Sequence, residues 1–259
     1  MCVWAGIYFF AETNGAVAYP AYKISQDSAR TDAAFKYGSE AMREFIDDML
    51  ITPMDAAFFG INGKVRLSFT VDTSGHVADI TVIKEDMLMS KGIEFDKPGY
   101  NNNHVLDKIN GMFGKQAVRV IELMDGLWSP ATKNNSPVNS LVELTFSFRT
   151  EQYDANNRSY RNGNQILFGE YTKKLPDYGL NFYNIGVAKM SEGKIDIAEK
   201  FFSESVNFNA VNVDAYYNLG AARFKLGDTE GACRAWQKGA KLGDPEIADL
   251  LKKYCEIGN

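Results

Sequence analysis

The chain has 259 residues, of which 45% are hydrophobic and 24% charged, as is usual for a folded protein with a sizeable core. This length predicts one or two domains, since a domain commonly spans about 100–200 residues. The formal net charge of −5 comes without a block of basic residues, which argues against nucleic acid or an anionic membrane surface as a partner.

Cysteine and histidine are rare. The three cysteines, Cys2, Cys233 and Cys255, include no CxxC pair and are too few for a disulfide framework. The two histidines, His76 and His104, lie far from each other and from the cysteines in the sequence. Because zinc is usually held by clustered Cys and His ligands, we expect no metal site and no cofactor.

The first 18 residues have some features of a secretory signal. Residues 2–11 form an apolar run, and Ala16-Val17-Ala18 fits the small-x-small cleavage pattern. A preceding basic segment is missing, and the run is shorter than the roughly 20 residues of a membrane span. Two interpretations stay open: residues 1–18 are a secretion signal, or the run is a strand or helix of the fold.

Residues 19–37 are polar and lack a period, so they are predicted to form a linker. A helix is then expected from Ser39, a candidate N-cap, to Pro53. Its apolar residues recur at helical spacing: Met42, Phe45, Ile46, Met49 and Leu50. Strict alternation over 64–71 and again over 77–83, around the turn residues 72–75, predicts a β-hairpin.

Residues 84–114 break this pattern with glycine, proline and asparagine, and are predicted to form a long insertion. A helix is expected over 115–125, and Gly126 is placed to end it. Alternation returns over 142–148, which predicts another strand. Residues 151–178, rich in Asn, Arg and Tyr, are expected to connect two domains.

An internal repeat follows. Five pairs of residues are 34 positions apart: Gly186/Gly220, Gly193/Gly227, Ala198/Ala232, Phe182/Tyr216 and Phe202/Trp236. A period of 34 residues is typical of tetratricopeptide helix–turn–helix repeats, which these residues resemble. Asp244-Pro245 begins a last helix that is expected to cap the stack.

Residues 36–149 resemble the TonB C-terminal domain family, particularly the versions common in Bacteroidetes. The matching stretches are YGSEAMREFIDDMLITP, GINGKVRLSFTVDTSGHVADITVIK and QAVRVIELMDGLWSPATKNNSPVNSLVELTFSF. Shared features are G-x-V-x-x-x-F-x-V-D-x-x-G-x-V, the later W-x-P-A and a closing apolar strand. The resemblance implies an αββαβ domain that binds an extended peptide.

By this resemblance the peptide adds to the edge of the strand near Ser140–Arg149, where bare backbone groups are expected. The strand residues assigned to this edge are Ser140, Val142, Leu144, Phe146 and Phe148. Phe146, Phe148 and Trp128 are also expected in the core. The chain departs from energy-coupling members of the family, because it shows no membrane anchor of adequate length and contains only 7 prolines.

The tetratricopeptide resemblance implies a concave face that receives peptides. We refer to the residues assigned to it as the repeat face: Leu180, Tyr183, Val187, Met190, Asp214, Tyr217 and Phe224. Ala221 has the equivalent position on the second hairpin. A peptide, the first domain or the connector would fit against this face equally well.

No catalytic residues are expected, and the chain is interpreted as not an enzyme. His76 near Asp72 is simply explained as a solvated turn residue, and Asp47-Asp48 and Glu85-Asp86 as surface charges. No nucleophile elbow, phosphate-binding glycine loop or H-E-x-x-H motif occurs. Cys233 and Cys255 lie on the second hairpin and the capping helix, and either a disulfide or two buried thiols fits their positions.

Together these patterns predict an α+β protein. Its parts are a signal segment at 1–18, a linker at 19–37, a TonB-like domain at 38–150 with an insertion at 84–114, a connector at 151–178 and repeats at 179–257. The expected function is a periplasmic protein–protein interaction module that binds peptides by strand addition. The alternative is an energy-transducing component of TonB-dependent outer-membrane transport. Its expected partner is a protein or peptide, including segments of outer-membrane transporters.

Overall fold

The computed structural model describes residues 19–20, 30–58, 61–89, 107, 109–149 and 177–255. They fall into two compact units that divide between positions 161 and 162. The first unit mixes helices with small antiparallel sheets and the second is helical, which confirms the predicted α+β class. Predictions for 1–18, 21–29, 90–106 and 151–176 lie outside the described residues.

The described part of the first unit contains nine strands and three helices, which we number in chain order. The strands are β1 (Tyr19–Pro20), β2 (Arg30–Thr31), β3 (Ala34–Phe35), β4 (Ile61–Val71), β5 (Val77–Met89), β6 (Trp128–Ser129), β7 (Ala131–Lys133), β8 (Ser136–Val138) and β9 (Ser140–Phe148). The helices are α1 (Gly38–Met49), α2 (Met54–Phe58) and α3 (Met112–Leu123).

Helix α1 forms where the apolar spacing predicted it. Met42, Phe45, Ile46 and Met49 are buried along one face. The predicted N-cap, Ser39, is instead inside the helix, and Tyr37 is at the N-cap without a side-chain hydrogen bond. The helix ends at Met49, before the extended residue Leu50.

The main sheet has the order β1-β9-β4-β5, and its neighbouring strands are antiparallel. Strand β4 lies inside the sheet, and its alternate residues from Ile61 to Val71 are buried. The turn into β5 is closed by the Asp72 carboxylate, which accepts hydrogen bonds from the backbone N–H groups of Ser74 (2.7 Å) and His76 (2.9 Å). Gly75 takes a φ of +86°, which glycine adopts without strain.

Strand β5 extends further than the sequence pattern indicated. Residues 84–89, assigned above to the insertion, continue the hairpin and pair with 61–66. Glu85 on this extension accepts hydrogen bonds from Gly111 N (3.2 Å) and Gly114 N (3.0 Å) at the start of α3. A carboxylate stabilises a helix N-terminus because the first N–H groups there lack helical partners.

Aromatic rings fill the core between the sheet and the helices. Trp128 and Phe69 pack with ring centroids 5.3 Å apart, and Phe35 lies 5.9 Å from the same indole. At the other end of β4, a Cβ on Gly63 would lie 2.5 Å from Phe113 ring atoms. Phe113 in turn packs on Phe148 of β9 at 4.8 Å. Glycine at position 63 therefore allows α3 to approach the sheet closely.

The described part of the second unit consists of five helices. They are α4 (Tyr178–Ser191), α5 (Ile195–Phe208), α6 (Val213–Lys225), α7 (Thr229–Ala240) and α8 (Pro245–Tyr254). Four begin with a side-chain cap that accepts a backbone N–H: Asp177, Asn212, Asp228 and Asp244. Such caps satisfy N–H groups that have no partner within the helix.

The 34-residue spacing has a direct structural cause. Gly186 on α4 faces the ring of Phe202 on α5, where an added Cβ would be 2.7 Å from Cε1. Gly220 on α6 likewise faces the indole of Trp236 on α7. Each hairpin thus places an aromatic ring against a glycine of the preceding helix, which lets the two helices approach closely.

The turns repeat in the same way. Gly193 (φ +78°) and Gly227 (φ +87°) each end the first helix of a hairpin in the left-handed conformation. Hydrogen bonds from Lys194 N to Lys189 O and from Asp228 N to Arg223 O close both turns in the same pattern. This is the glycine-terminated helix end that satisfies the last helical carbonyls.

We expect Gly220→Ala to destabilise the second unit by about 1–2 kcal/mol. Overpacking against the Trp236 indole costs about 1–3 kcal/mol and outweighs the gain of up to about 1 kcal/mol in helix propensity. Gly186→Ala should cost less, because its contact with Phe202 is longer. Thermal unfolding followed by circular dichroism measures this, with the exposed Asn184→Ala as the control. A Gly220→Ala chain as stable as the parent would contradict the packing argument.

Candidate functional site

Strand β9 is paired with β4 in one unbroken register. The ladder runs from Gly63 opposite Phe148 to Val71 opposite Ser140 without a bulge. Ser140, Leu144, Phe146 and Phe148 are buried and Val142 is partly buried, so these side chains face the core. They anchor the strand, and only their backbone groups are available to a partner.

The opposite face of β9 carries the side chains that a partner would contact. Leu141 is 68% exposed, Glu143 is exposed, and Thr145 and Ser147 are partly buried. The residues predicted at the peptide-binding edge, Ser140, Val142, Leu144, Phe146 and Phe148, belong to the other set, whose side chains face the core. The alternation predicts which side chains a partner would contact. In a half-buried strand the apolar set faces the core, and the opposite set faces solvent.

The outer edge of β9 is not entirely bare. Strand β1 pairs with it in antiparallel register, Tyr19 opposite Thr145 and Pro20 opposite Leu144. Within the described residues, no strand pairs with the outer edge at 140–143 or 146–148. The expected row of free backbone groups is therefore interrupted in its middle by a two-residue strand.

The opposite edge of the sheet, along β5, is poorly suited to accept another strand. Register shifts interrupt its ladder with β4 between Arg66 and Leu67 and between Ser68 and Thr70. Asp79 has a φ of +53°, and Lys84 forms an ion pair with Asp86 at 2.8 Å. Bulges and charged side chains are the usual features that protect an edge from pairing.

The repeat face lies on α4 and α6, which contact each other. Four of its large apolar side chains remain exposed, with fractions from 37% for Tyr217 to 48% for Leu180; Val187 and Phe224 lie between these values. Tyr183 and Met190 pack partly against the core formed by α5, α6 and α7. An apolar group of this kind on adjacent helices is typical of a recognition surface.

Tyr183 connects the two helices electrostatically. Its partial burial and the nearby Asp214 carboxylate raise the pKa of the Tyr183 hydroxyl, while a side-chain hydrogen bond with Asn218 acts in the opposite direction. A tyrosine hydroxyl is protonated at neutral pH and can donate a hydrogen bond, and the raised pKa extends this state further into the alkaline range. Together with the exposed Asp214 carboxylate, it gives a largely apolar face a polar point.

Phe224 has a structural role as well. Its ring lies 4.7 Å from Tyr254 of α8 and 6.0 Å from Trp236. Trp236 donates a hydrogen bond from Nε1 to Tyr217 O at 3.2 Å. The end of the repeat face is therefore held by the same aromatic cluster that positions the last helix.

Cys233 on α7 and Cys255 after α8 are bonded to each other, with their Cα atoms 5.8 Å apart. The bond lies beside a buried cluster of Ala232, Trp236 and Ile247, against which Leu251 and Tyr254 also pack. It closes a loop with a sequence separation of 22 residues. Helix α8 is thus fixed to the hairpin both by apolar contacts and covalently.

Several charged side chains lie in and beside the turn between β4 and β5. His76 Nδ1 lies 3.1 Å from Asp125 Oδ1 on the surface, and the Asp72 carboxylate closes the β4–β5 turn instead of pairing with the imidazole. Hydrogen bonds from the backbone of His76 and Ser74 lower the pKa of Asp72. These hydrogen bonds give the Asp72 carboxylate a structural role in closing the turn.

Asp47 on α1 differs from an ordinary surface charge. Its Oδ1 is buried without a hydrogen-bond partner. Burial, reinforced by the neighbouring Asp48, raises the pKa of Asp47 from 3.8 to about 6. A buried carboxylate of this kind opposes folding when it is ionised.

Among the described residues, no group of three or more His, Cys, Asp or Glu side chains is arranged to hold a metal ion. None of the described helices combines the length and apolar composition needed to cross a membrane. No protein-family model matches the chain, and no curated protein matches it.

Asp47→Asn should stabilise the protein at neutral pH by about 1 kcal/mol, after allowance for partial solvent screening. Since the folded-state pKa of Asp47 lies above its ordinary value, stability falls as pH rises from 3.8 to about 6. The substitution should remove this part of the pH dependence. Urea unfolding near pH 4 and near pH 7 measures it, and Asp48→Asn should have the smaller effect. Equal pH profiles for Asp47→Asn and the parent would refute the assignment.

Removal of the disulfide should destabilise the second unit. Loop-closure entropy for the sequence separation of 22 residues predicts a loss of roughly 3 kcal/mol for the double variant Cys233→Ser/Cys255→Ser. Guanidinium unfolding with and without reductant measures the loss, and reductant should leave the double variant unchanged. If mass spectrometry finds free thiols at both Cys233 and Cys255 in the oxidised parent, the disulfide does not exist and the prediction is wrong.

Proposed function

We propose that this chain is a non-catalytic interaction protein that binds extended peptides by strand addition to the outer edge of β9. The observation that carries the proposal is the regular β9–β4 ladder, whose outer side has only a two-residue partner among the described strands. Strand addition supplies main-chain hydrogen bonds along such an edge.

The order of elements supports the resemblance to TonB C-terminal domains. Helix α1, strands β4 and β5, helix α3 and strand β9 follow one another as αββαβ. In the resemblance, the peptide binds beside the last strand, which corresponds to β9. Helix α2, which lies between α1 and β4, and the short strands β1–β3 and β6–β8 are additions to this core order.

Energetics favour β9 over β5 as the binding edge. An incoming strand gains about 0.5–1.5 kcal/mol for each net hydrogen bond, so affinity depends on a long uninterrupted row. The β9 register is unbroken over nine residues, whereas β5 is bulged and charged. Selectivity would come from Leu141 and Glu143, whose side chains are exposed.

The helical hairpins supply the second interaction surface. The repeated glycine–ring contacts of α4–α5 and α6–α7 support a tetratricopeptide-like stack, with α8 as its cap. The repeat face combines exposed Leu180, Val187 and Tyr217 with the Tyr183 hydroxyl. This chemistry suits a peptide with apolar side chains and a hydrogen-bond acceptor.

The proposed location is the periplasm. Disulfides form and persist in oxidising compartments, and Cys233–Cys255 is one. The apolar run at residues 2–11 followed by Ala16-Val17-Ala18 agrees with secretion. A bonded Cys233–Cys255 pair in protein isolated from cells, and an N-terminus that starts after residue 18, would support this location.

Proline substitutions in β9 test strand addition. Successive residues of a strand direct their N–H groups to opposite sides. One of the two variants, Leu141→Pro and Val142→Pro, therefore loses an N–H group that is directed toward β4. The other loses an N–H group on the outer edge of β9, where the peptide is proposed to bind. We expect the variant that lacks the outer donor to keep its fold and to lose binding by about tenfold, the value of roughly one hydrogen bond. Octapeptides selected from a random displayed library on the full chain serve as the probe.

The alanine variant at the same position as the folded proline variant, Leu141→Ala or Val142→Ala, keeps the N–H group; it is the matched control and should bind at most a few-fold more weakly. Circular dichroism identifies which proline variant stays folded. Amide hydrogen exchange over residues 140–148 with and without peptide gives a second readout that needs no substitution. Unchanged exchange there on peptide binding, together with normal binding by a folded proline variant, would exclude this edge as the site.

A further inference from the structure

The two-residue strand β1 occupies the centre of the edge at which peptide binding is proposed. Tyr19 lies opposite Thr145 and Pro20 opposite Leu144, on the side of β9 that faces away from β4. Four residues of β9 precede the covered pair Leu144–Thr145 and three follow it. A peptide that pairs along the full strand must therefore take the place of β1.

We propose that the Tyr19–Pro20 segment is an internal competitor, a tethered strand that occupies the peptide-binding edge and is displaced by a partner. This inference rests on the proposed function and adds its regulation. It also fixes the orientation of the partner, since β1 is antiparallel to β9. A partner that displaces it by the same pairing is an extended segment that runs antiparallel to β9.

The pairing of β1 is strong enough to compete but weak enough to be displaced. In an antiparallel pair, directly opposed residues exchange either two hydrogen bonds or none. If Tyr19 and Thr145 form the bonded pair, two hydrogen bonds result. If Pro20 and Leu144 do, proline lacks the N–H donor and one remains. Each hydrogen bond contributes a factor of about ten or less to an equilibrium constant. The pairing therefore favours the bound over the displaced segment by a factor of about one hundred at most.

An external peptide has more to gain than the tethered strand. It can engage the outward groups along all nine residues of β9, whereas β1 engages the groups of two residues. The tethered strand compensates through its high local concentration, because only residues 21–29 separate it from Arg30. Short tethers give effective concentrations in the millimolar range.

The edge otherwise has little protection of its own. The β9 ladder contains no bulge, and the side chains that flank the covered positions are Glu143 and Phe146. An uninterrupted edge that exposes Leu141 would invite pairing between molecules. A covering strand that leaves only for a matching peptide prevents this and selects partners by competition.

A disulfide trap tests the proposal on the full chain. Opposed residues of an antiparallel pair have Cα atoms about 4.5–5.5 Å apart, within the range of a disulfide. We expect Tyr19→Cys/Thr145→Cys to form an intramolecular bond on mild oxidation. Tyr19→Cys/Ser147→Cys, two residues out of register, should form it at least several-fold less. Cys2→Ser is included in every variant to remove the other free thiol.

The binding probe is a fluorescent peptide with the sequence of residues 17–24, VAYPAYKI, which contains the Tyr19-Pro20 pair and the residues next to it in the sequence. The oxidised Tyr19→Cys/Thr145→Cys chain should bind this probe at least tenfold more weakly than the same chain after reduction. Reduction also opens Cys233–Cys255. The Tyr19→Cys single variant, treated identically, corrects for that effect.

Equal cross-linking of the two double variants would overturn the proposal, because it would show that β1 does not hold this register. Equal probe binding by the oxidised and reduced forms would overturn it as well. Neither result decides the proposed function, which the proline variants and library octapeptides test separately. If the library yields no octapeptide that binds the full chain while the trap forms efficiently, β1 is a permanent part of the sheet and both proposals fail.

Discussion

Strand β4 is hydrogen-bonded on both sides, to β5 along its whole length and to β9 from Gly63 to Val71, and the first unit is organised around this double pairing. Its alternate residues are buried, so a slip of one residue would turn the apolar set to solvent. The register of β9 is fixed as a consequence. The buried face of β9 and its outward backbone edge both follow from the position of β4.

The second unit depends on a different constraint, the contact between a glycine and an aromatic ring in each hairpin. Gly186 with Phe202 and Gly220 with Trp236 set the distance between paired helices. The same geometry at the same spacing places α4 and α6 side by side. Phe182 and Tyr216 direct their rings into the interior from these two helices, whereas Leu180 and Tyr217 lie on the opposite face and remain exposed.

Elements with strong periodicity could be predicted from the sequence. Alternation identified β4 and β9, helical spacing identified α1, and the 34-residue repeat identified the hairpins. The extension of β5 was missed because residues 84–89 include charged side chains without clean alternation. Glu85 belongs there because it binds the start of α3, a contact between residues distant in sequence.

The candidate site was only partly predictable for similar reasons. Alternation predicts the strand itself, and it also predicts that Phe146 and Phe148 lie in the core, where the structure places them. The pattern alone does not separate the backbone edge from the side chains that a partner would contact. The pairing of Tyr19 with Thr145 depends on a long-range register that no local pattern specifies. The state of Cys233 and Cys255 stayed open because a distance along the chain does not determine a distance in space.

The Cys233–Cys255 bond also determines how the second unit responds to tension. It joins α7 to the residue that follows α8, so both ends of that helix are anchored. A pulling force applied beyond Cys255 passes through the sulfur atoms into α7 without unwinding α8. The terminal helix therefore cannot be peeled from the stack by its exposed end, and the aromatic cluster beneath it remains covered under strain.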